Sequence, residues 1–196
     1  APLALVPGES FDGAFSGCAV VDRSEETLAV HGGPQLTVFF TAVHMDGDRG
    51  GRLEEQRWGY WDEAADRIVL PQDNLVLSNP GLTDFRDPQV VFLGGPFRWS
   101  MVLACGNHLR FYGSDDLRRW TETGRYALGD EDGSSVLECP NLIRLPAEDG
   151  CRWVLAVSRV DRRSRDSRTV YLTGRFDGSS FTADTQSPLP VDCGHD

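Results

Sequence analysis

The stretch that decides the fold is DPQVVFLGGPFRWSMVLACGNHLRFYGSDDLRRW, residues 87–120, because its pattern returns further along the chain. The second copy runs CPNLIRL…RWVLAVS…TVYLTGRFDGSSF over residues 139–181. Pro88 corresponds to Pro140 and Trp99 to Trp153, which are steps of 52 and 54 residues. A looser third copy covers residues 17–68. Repetition at this period indicates similar structural units stacked against one another.

Each copy consists of short β-branched or aromatic runs separated by Gly, Asp, Asn and Pro, and amphipathic helix patterns are scarce. The runs are CAVVD 18–22, LTVFF 36–40, QVVFL 89–93, WSMVLA 99–104, LRFYG 109–113, RWVLAVS 152–158 and TVYLTG 169–174. They predict strands with tight connections, hence an all-β protein. Units of roughly 40–50 residues with about four strands are typical of β-propeller blades. We predict that residues 1–196 form part of a single propeller domain and cover about three blades, with an N-terminal blade and further C-terminal blades outside the chain.

Composition narrows the range of partners. The net charge of −11 argues against nucleic acid and against an anionic membrane surface, because both attract basic patches. No run approaches the roughly 18 apolar residues of a membrane span. The charge identifies no particular ligand, and the oligomeric state stays open.

The cysteines are widely scattered. Their positions are Cys18, Cys105, Cys139, Cys151 and Cys193, with no CxxC pair and no His at metal-ligand spacing. We expect free, mostly buried thiols and neither a metal site nor a cofactor. Unpaired cysteines favour a reducing compartment such as the cytoplasm, although export stays open.

Charged and polar residues recur at one place in the repeat, just before the first strand of each unit. In a propeller this strand lines the central channel, so residues far apart in sequence should meet at one mouth. The segments are FSG 15–17, FRD 85–87, LEC 137–139 and GHD 194–196. Taken singly, Arg86-Asp87 is more often a turn with a local ion pair, and Glu138 a solvated strand end. Their equivalent placement favours a shared site.

Two carboxyl groups at one mouth suit glycoside hydrolysis, in which one donates a proton and another stabilises an oxocarbenium-like transition state. Arg86 beside Asp87 is expected to keep that carboxyl ionised by lowering its pKa. Glu138 lies between Leu137 and Cys139, and we expect these neighbours to exclude water from it, as suits a general acid.

Six motifs in order, FSGCAVVD, FRDPQVVF, WSMVLACG, YGSDDLRRWTETG, LECPNLIRLP and VDCGHD, resemble those of glycoside hydrolase family 32, the β-fructofuranosidases. The resemblance covers almost the whole chain, and the FRDP and ECP pair at this separation is its most specific part. It implies a five-bladed propeller that cleaves β-fructofuranosidic bonds of sucrose, inulin or levan with retention, by double displacement.

The resemblance also implies roles for particular residues. Glu138 would be the general acid/base and Asp87 the transition-state stabiliser. The substrate-binding residues would be Arg86, Phe15, Ser16, Cys139 and Asp196.

The chain departs from the family pattern at two points. Cys18 stands where the family usually has Ser. The nucleophile of the family lies in a WMNDPNG-like motif, which has no counterpart here, so we expect the nucleophile to lie upstream of these residues. The partner implied is a fructose-containing oligo- or polysaccharide.

Three alternatives stay open. A fructosyltransferase would share the architecture and differ in the acceptor that reaches the intermediate. A non-catalytic carbohydrate-binding propeller would explain the missing nucleophile motif. A general interaction propeller would predict no acidic cluster at the mouth.

Overall fold

The computed structural model describes residues 5, 8, 11–46, 51–128, 133–148 and 150–191. Within these ranges the chain forms fourteen strands and one short helix, and the strands make three antiparallel sheets. None of the helical residues described is part of a helix long and apolar enough to cross a membrane.

Each sheet is one blade, built from strands that pair in chain order. Blade 1 contains β1 (Gly13–Asp22), β2 (Gln35–Asp46), β3 (Gly51–Asp62), β4 (Arg67–Val69) and β5 (Leu75–Leu77). Blade 2 contains β6 (Arg86–Phe92), β7 (Trp99–Cys105), β8 (His108–Ser114) and β9 (Thr121–Ala127). Blade 3 contains β10 (Ser135–Ala147), β11 (Gly150–Asp161), β12 (Ser167–Phe176), β13 (Phe181–Ala183) and β14 (Leu189–Pro190). β5 pairs with β3, and β14 with β12, outside the four-strand order.

The pairing register confirms the predicted repeat. Arg86 pairs with Ala104 in blade 2, and Glu138 pairs with Ser158 in blade 3. Trp99 and Trp153 each lie five residues before these partners, so the step of 54 residues seen in the sequence is a structural equivalence. The sheets are blades of a β-propeller, as the sequence predicted.

The hydrophobic core lies between blades rather than inside them. Phe39 of blade 1 packs with Trp99 and Met101 of blade 2 and with Phe85, which directly precedes β6. On the other side of blade 2, side chains of β7 and β8 pack with blade 3 in a second cluster that includes Trp153. β7 is buried along its whole length because both of its faces are covered. A blade therefore depends on its neighbours to bury its apolar surface.

One element escaped the sequence analysis, the helix α1 (Glu25–His31) between β1 and β2. The Ser24 hydroxyl accepts a hydrogen bond from the backbone N–H of Thr27, and Gly32 ends the helix in the left-handed conformation. These caps satisfy backbone N–H and C=O groups at the two ends of the helix. The helix has only seven residues, which is too short for its periodicity to be recognised in the sequence.

Candidate active site

The first strand of each blade is interrupted by a β-bulge at the same place. Two residues of the first strand oppose a single residue of the second, and the register shifts between Ala14 and Gly17, Arg86 and Gln89, and Glu138 and Asn141. β6 lies beside both β1 and β10. The three bulges therefore come together at one end of the blades, called here the bulge end: Phe15–Ser16, Asp87–Pro88 and Cys139–Pro140.

Arg86 is the centre of the charged groups at the bulge end. Its Nη1 donates to Asp84 Oδ1 at 2.5 Å and to Glu54 Oε1 at 3.3 Å, and its Nη2 donates to Glu138 Oε1 at 3.0 Å. The Arg86 side chain is only 7% exposed, and Glu54 is fully buried. Carboxylates from blades 1, 2 and 3 or their connections thus converge on one guanidinium.

Ionisation in this cluster follows from the pairing. Burial acts to lower the pKa of Arg86, but the hydrogen bond to Asp84 and the charge of Glu54 outweigh it and raise that pKa. Burial likewise acts to raise the pKa of Asp84, while hydrogen bonds from Arg86 and Arg162 lower it overall. Arg86 and Asp84 are therefore paired as ions rather than as neutral groups.

Asp87 is placed differently from our expectation. Its Oδ2 lies 3.9 Å from Arg86 Nε and accepts a hydrogen bond of 2.9 Å from the backbone N–H of Cys139. Burial raises the pKa of Asp87, and the Cys139 N–H and the Arg86 charge offset this only in part. Arg86 lowers the pKa of Asp87 as predicted, but burial outweighs it, so the expected net lowering was wrong. The guanidinium Nη1 and Nη2 are directed to Asp84, Glu54 and Glu138 instead.

Glu138 is less buried than the sequence indicated. Its side chain is 41% exposed, although Leu137 beside it is buried. Alternation along β10 turns Leu137 into the core between blades and Glu138 toward the bulge end. The expectation that apolar neighbours in sequence would exclude water from Glu138 was therefore wrong. Its defining contact is the ion pair with Arg86.

The other predicted binding residues lie at the surface of the bulge end. Ser16 is exposed, and its hydroxyl is 3.8 Å from the thiol of Cys139. Phe15 is 42% exposed, and the guanidinium of Arg52 lies 5.4 Å from the centre of its ring. Arg52 Nε is 2.7 Å from Glu54 Oε1, which joins Phe15 to the charged cluster. Asp196, and with it the GHD segment, lies outside the described residues.

The FSG segment is offset from the other two motifs. Bulge positions make Ala14, rather than Ser16, the equivalent of Arg86 and Glu138. Gly17 follows the bulge, and a Cβ there would lie 1.9 Å from the carbonyl oxygen of Phe39, so only glycine fits. FSG was interpreted as a direct counterpart of FRD and LEC, and the structure shifts it by two residues.

The thiols are less buried than expected. Among the described residues Cys105 is buried, Cys18 and Cys151 are half-buried, Cys139 is exposed, and all four are free. Cys18 accepts a 3.1 Å hydrogen bond from the N–H of Val90, and burial raises the pKa of its thiol to about 11. Cys18 therefore joins β1 to β6 as a neutral thiol.

Sequence reasoning missed the residues that surround Arg86 from blade 1. Glu54 and Gln56 are fully buried and lie two apart on one face of β3. One signal in the sequence could have revealed them. Glu54 and Gln56 lie at alternating positions on the face of the strand that continues with Trp58 and Tyr60, and polar residues on such a face need buried partners. Asp84, two residues before Arg86, was also missed.

A cavity of about 340 Å³ opens beside this cluster, and Arg52, Asp84, Arg86, Glu138 and Arg162 are among its lining residues. A larger cavity of about 1090 Å³ lies at the opposite end of β1 and β6, beside Asp22 and Phe92. Phe92 is six residues from Arg86, about 20 Å along a strand at about 3.3 Å per residue. The smaller cavity is lined by Asp84 and Glu138, the two carboxylates that pair with Arg86, together with Arg86 itself. In the described part of the chain no group of three or more His, Cys, Asp or Glu side chains is arranged to hold a metal ion.

Comparison with known proteins places the chain in a family. The profile of the Glycosyl hydrolases family 32 N-terminal domain matches residues 1–196. The chain is 32% identical to a levanbiose-producing levanase of Geobacillus stearothermophilus over 184 residues, 93% of this chain and 44% of that protein. It is 33% identical to a levanase of Bacillus subtilis, covering 92% of this chain and 26% of that protein.

A fructofuranosidase from Schwanniomyces occidentalis complexed with fructose has a similar structure, with a TM-score of 0.79 and 24% identity over 97% of this chain and 38% of that one. The chain thus spans less than half the length of these relatives. The fold is shared with the solved structure, and the family follows from the match of the profile over the whole sequence. This protein belongs to glycosyl hydrolase family 32.

Proposed function

We propose that the protein to which this chain belongs hydrolyses β-fructofuranosidic bonds, with retention of configuration. The observation that carries the proposal is the junction of two blades at the bulge end. Arg86 binds Glu138 at 3.0 Å, and Asp87 accepts the Cys139 N–H at 2.9 Å. Two carboxyl groups separated by about fifty residues of sequence are thereby held at one junction between blades 2 and 3, and Glu138 also lines the smaller cavity.

In this proposal Glu138 is the general acid/base. Its exposure of 41% lets it approach the glycosidic oxygen, and the bond from Arg86 to Oε1 fixes the direction of the carboxyl group. It donates a proton to the leaving oxygen in the first step and takes one from water in the second.

Asp87 is the proposed transition-state stabiliser. Its carboxylate is fixed by the Cys139 N–H and is shielded from water, so its charge would act strongly on an oxocarbenium-like ring. Retention needs a second carboxylate as nucleophile, and we assign that role to none of residues 1–196. Phe15 and Ser16 are proposed to contact the fructosyl group, and no cofactor is proposed.

The proposed substrates are fructans and sucrose. Relatives named as levanases make levan the first substrate to test, beside inulin and sucrose. We also retain the reducing compartment as a proposal, supported by the four cysteines of the described residues, which are all free. Fractionation of the native cells tests it, and recovery of the protein outside the cytoplasm would contradict it.

The test is release of sugars from levan, inulin and sucrose by the full-length gene product and by Glu138→Gln. We expect kcat of the variant to fall on the order of 10²-fold or more, because acid catalysis is lost. Glu122→Gln is the matched control, since Glu122 also binds arginines, Arg110 at 3.0 Å and Arg125 at 2.6 Å, but lies on β9. Its kcat should stay at the wild-type level.

Three outcomes would revise the proposal. Wild-type kcat in Glu138→Gln would remove Glu138 as the acid. Glucose released from sucrose in excess of free fructose would indicate transfer to another sugar. Binding of levan without release of any sugar would favour the non-catalytic carbohydrate-binding propeller.

A further inference from the structure

The bulge in β6 leaves the backbone N–H of Asp87 without a partner in its own blade. The ladder between β6 and β7 passes from Arg86 to Gln89, so Asp87 and Pro88 take no part in it. Asp87 also has a positive φ of 60°, a backbone conformation that residues other than glycine rarely adopt. Something outside blade 2 has to hold this backbone in place.

That support comes from Thr41 of β2 in blade 1. Its Oγ1 accepts a 2.9 Å hydrogen bond from the Asp87 N–H and donates at 2.8 Å to Oε1 of Gln56 on β3. Gln56 Nε2 in turn donates at 2.6 Å to the carbonyl oxygen of Phe85. Thr41 and Gln56 are both fully buried. The relay therefore holds backbone groups on either side of Arg86.

Asp87 in turn binds a backbone N–H in the bulge of the next blade. The N–H of Cys139 occupies the equivalent bulge of β10, where the ladder passes from Glu138 to Asn141. Asp87 Oδ2 accepts this N–H at 2.9 Å. Cys139 also has a positive φ of 48°. Asp87 is thus fixed at its backbone by blade 1 and at its carboxylate by blade 3.

We propose that Thr41, supported by Gln56, is a positioning residue that holds the main chain of Asp87 in the left-handed conformation from which its carboxylate reaches the active site. The inference rests on the proposed function, because it assumes that Asp87 acts in the reaction. Thr41 is fully buried behind the Asp87 backbone. It acts only through Asp87.

The experiment compares Thr41→Val, which keeps the shape and removes the hydroxyl, with Thr41→Ser, which keeps the hydroxyl. Thr37→Val is the matched control. Thr37 lies on the same strand and is equally buried, and its hydroxyl has no hydrogen-bond partner in the part of the chain that the structure describes. All three are made in the full-length protein and assayed for sugar release from levan.

We expect Thr41→Val to lower kcat by roughly 10-fold or more with KM within about twofold of wild type, since displacement of a catalytic group by about 1 Å costs up to ~10²-fold. Thr41→Ser should restore most of the rate, and Thr37→Val should match wild type. Melting temperatures of the three variants separate a change in kcat from a loss of folded protein.

Two further measurements separate positioning from a general structural role. In an Asp87→Asn background, Thr41→Val should change kcat by less than about twofold, because residues that act through one another are not additive. Hydrogen exchange at the Asp87 amide should be slow in wild type and in Thr41→Ser, and fast in Thr41→Val.

Equal kcat in Thr41→Val and wild type would overturn the inference, as would equal losses in Thr41→Val, Thr41→Ser and Thr37→Val. So would an undiminished effect in the Asp87→Asn background. If the wild-type protein released no fructose, the proposed function would fail. The exchange measurement would then decide by itself whether Thr41 holds the Asp87 backbone, and fast exchange in wild type would refute the inference separately.

Discussion

Replacement of Arg86 by lysine tests whether the guanidinium organises the site. Arg86 makes three charge-assisted hydrogen bonds, to Asp84, Glu54 and Glu138, from a side chain that is 7% exposed. A lysine keeps the positive charge but offers one compact nitrogen instead of a planar fork. The lysine ammonium can form one of these three hydrogen bonds well, and the other two carboxylates then have weaker partners.

The size of the effect follows from burial. Glu54 is fully buried and retains Arg52 at 2.7 Å, while Asp84 retains Arg162 at 2.8 Å. Because the charge is kept, the loss should lie near the lower end of the 3–5 kcal/mol expected for breaking a buried pair, about 3 kcal/mol. The propeller of the full-length protein is larger than the 150–250 residues for which 1 kcal/mol corresponds to about 2–4 °C, so the expected decrease in Tm is smaller, roughly 3–6 °C. Glu138 loses its fixed direction, and kcat should fall on the order of 10²-fold.

Thermal unfolding and sugar release of the full-length protein measure these two effects. Arg119→Lys is the control, because Arg119 also pairs with a carboxylate, Asp116 at 2.8 Å, but is 91% exposed. An exposed pair contributes little, so its Tm should change by no more than about 2 °C. If Arg86→Lys behaved like Arg119→Lys in both assays, Arg86 would not organise the site.

Three more variants test other parts of the structure. Burial raises the pKa of Asp87, and the proposed role of Asp87 requires the ionised carboxylate. The value of kcat/KM should therefore fall toward acid pH through a pKa above the usual value of about 3.9. This decrease at acid pH should be lost in Asp87→Asn, and an unchanged pH profile in that variant would contradict the assignment. The backbone N–H of Cys139, not its thiol, binds Asp87, so Cys139→Ala should lower kcat/KM by less than about tenfold, whereas a loss on the order of 10²-fold would show that the thiol itself acts. Trp153 is 5% exposed and packs edge-on against Phe176 at 5.6 Å, so Trp153→Ala should cost about 3–5 kcal/mol of stability in urea unfolding, and a cost below about 1 kcal/mol would contradict its place in the core between blades.

The repeat and the strands could be predicted because both are recorded in local pattern. Pro88 and Pro140 lie in the bulges of equivalent strands, and Trp99 and Trp153 occupy equivalent buried positions, so a comparison of the chain with itself was enough. The meeting of Arg86 with Glu138 followed from this equivalence. The three bulges did not, because a bulge is one extra residue and changes only the register.

The environment of each carboxyl group could not be predicted from its neighbours in sequence. Arg86 is adjacent to Asp87 in sequence, yet its nitrogens bind Glu54, which is thirty-two residues away. Leu137 is adjacent to Glu138, yet the two side chains face opposite sides of β10. Some groups that set ionisation are near in sequence, such as Asp84 for Arg86, but others, such as Glu54 for Arg86 and the Cys139 N–H for Asp87, come from a neighbouring blade and cannot be found from sequence distance.

The site therefore depends on how the blades pack, and not only on the residues that line it. Thr41 of blade 1 satisfies the bulge of blade 2, and Asp87 of blade 2 satisfies the bulge of blade 3. A shift of one blade against the next would break a hydrogen bond at the bulge end before it opened the core, because hydrogen-bond geometry tolerates less displacement than apolar contact. Substitutions in the clusters between blades, such as those at Phe39 or Met101, should consequently lower kcat under conditions in which the protein is still folded. A plot of kcat against Tm for a series of such variants would show whether activity depends on blade packing. If kcat stayed constant until the protein unfolded, the argument would be refuted.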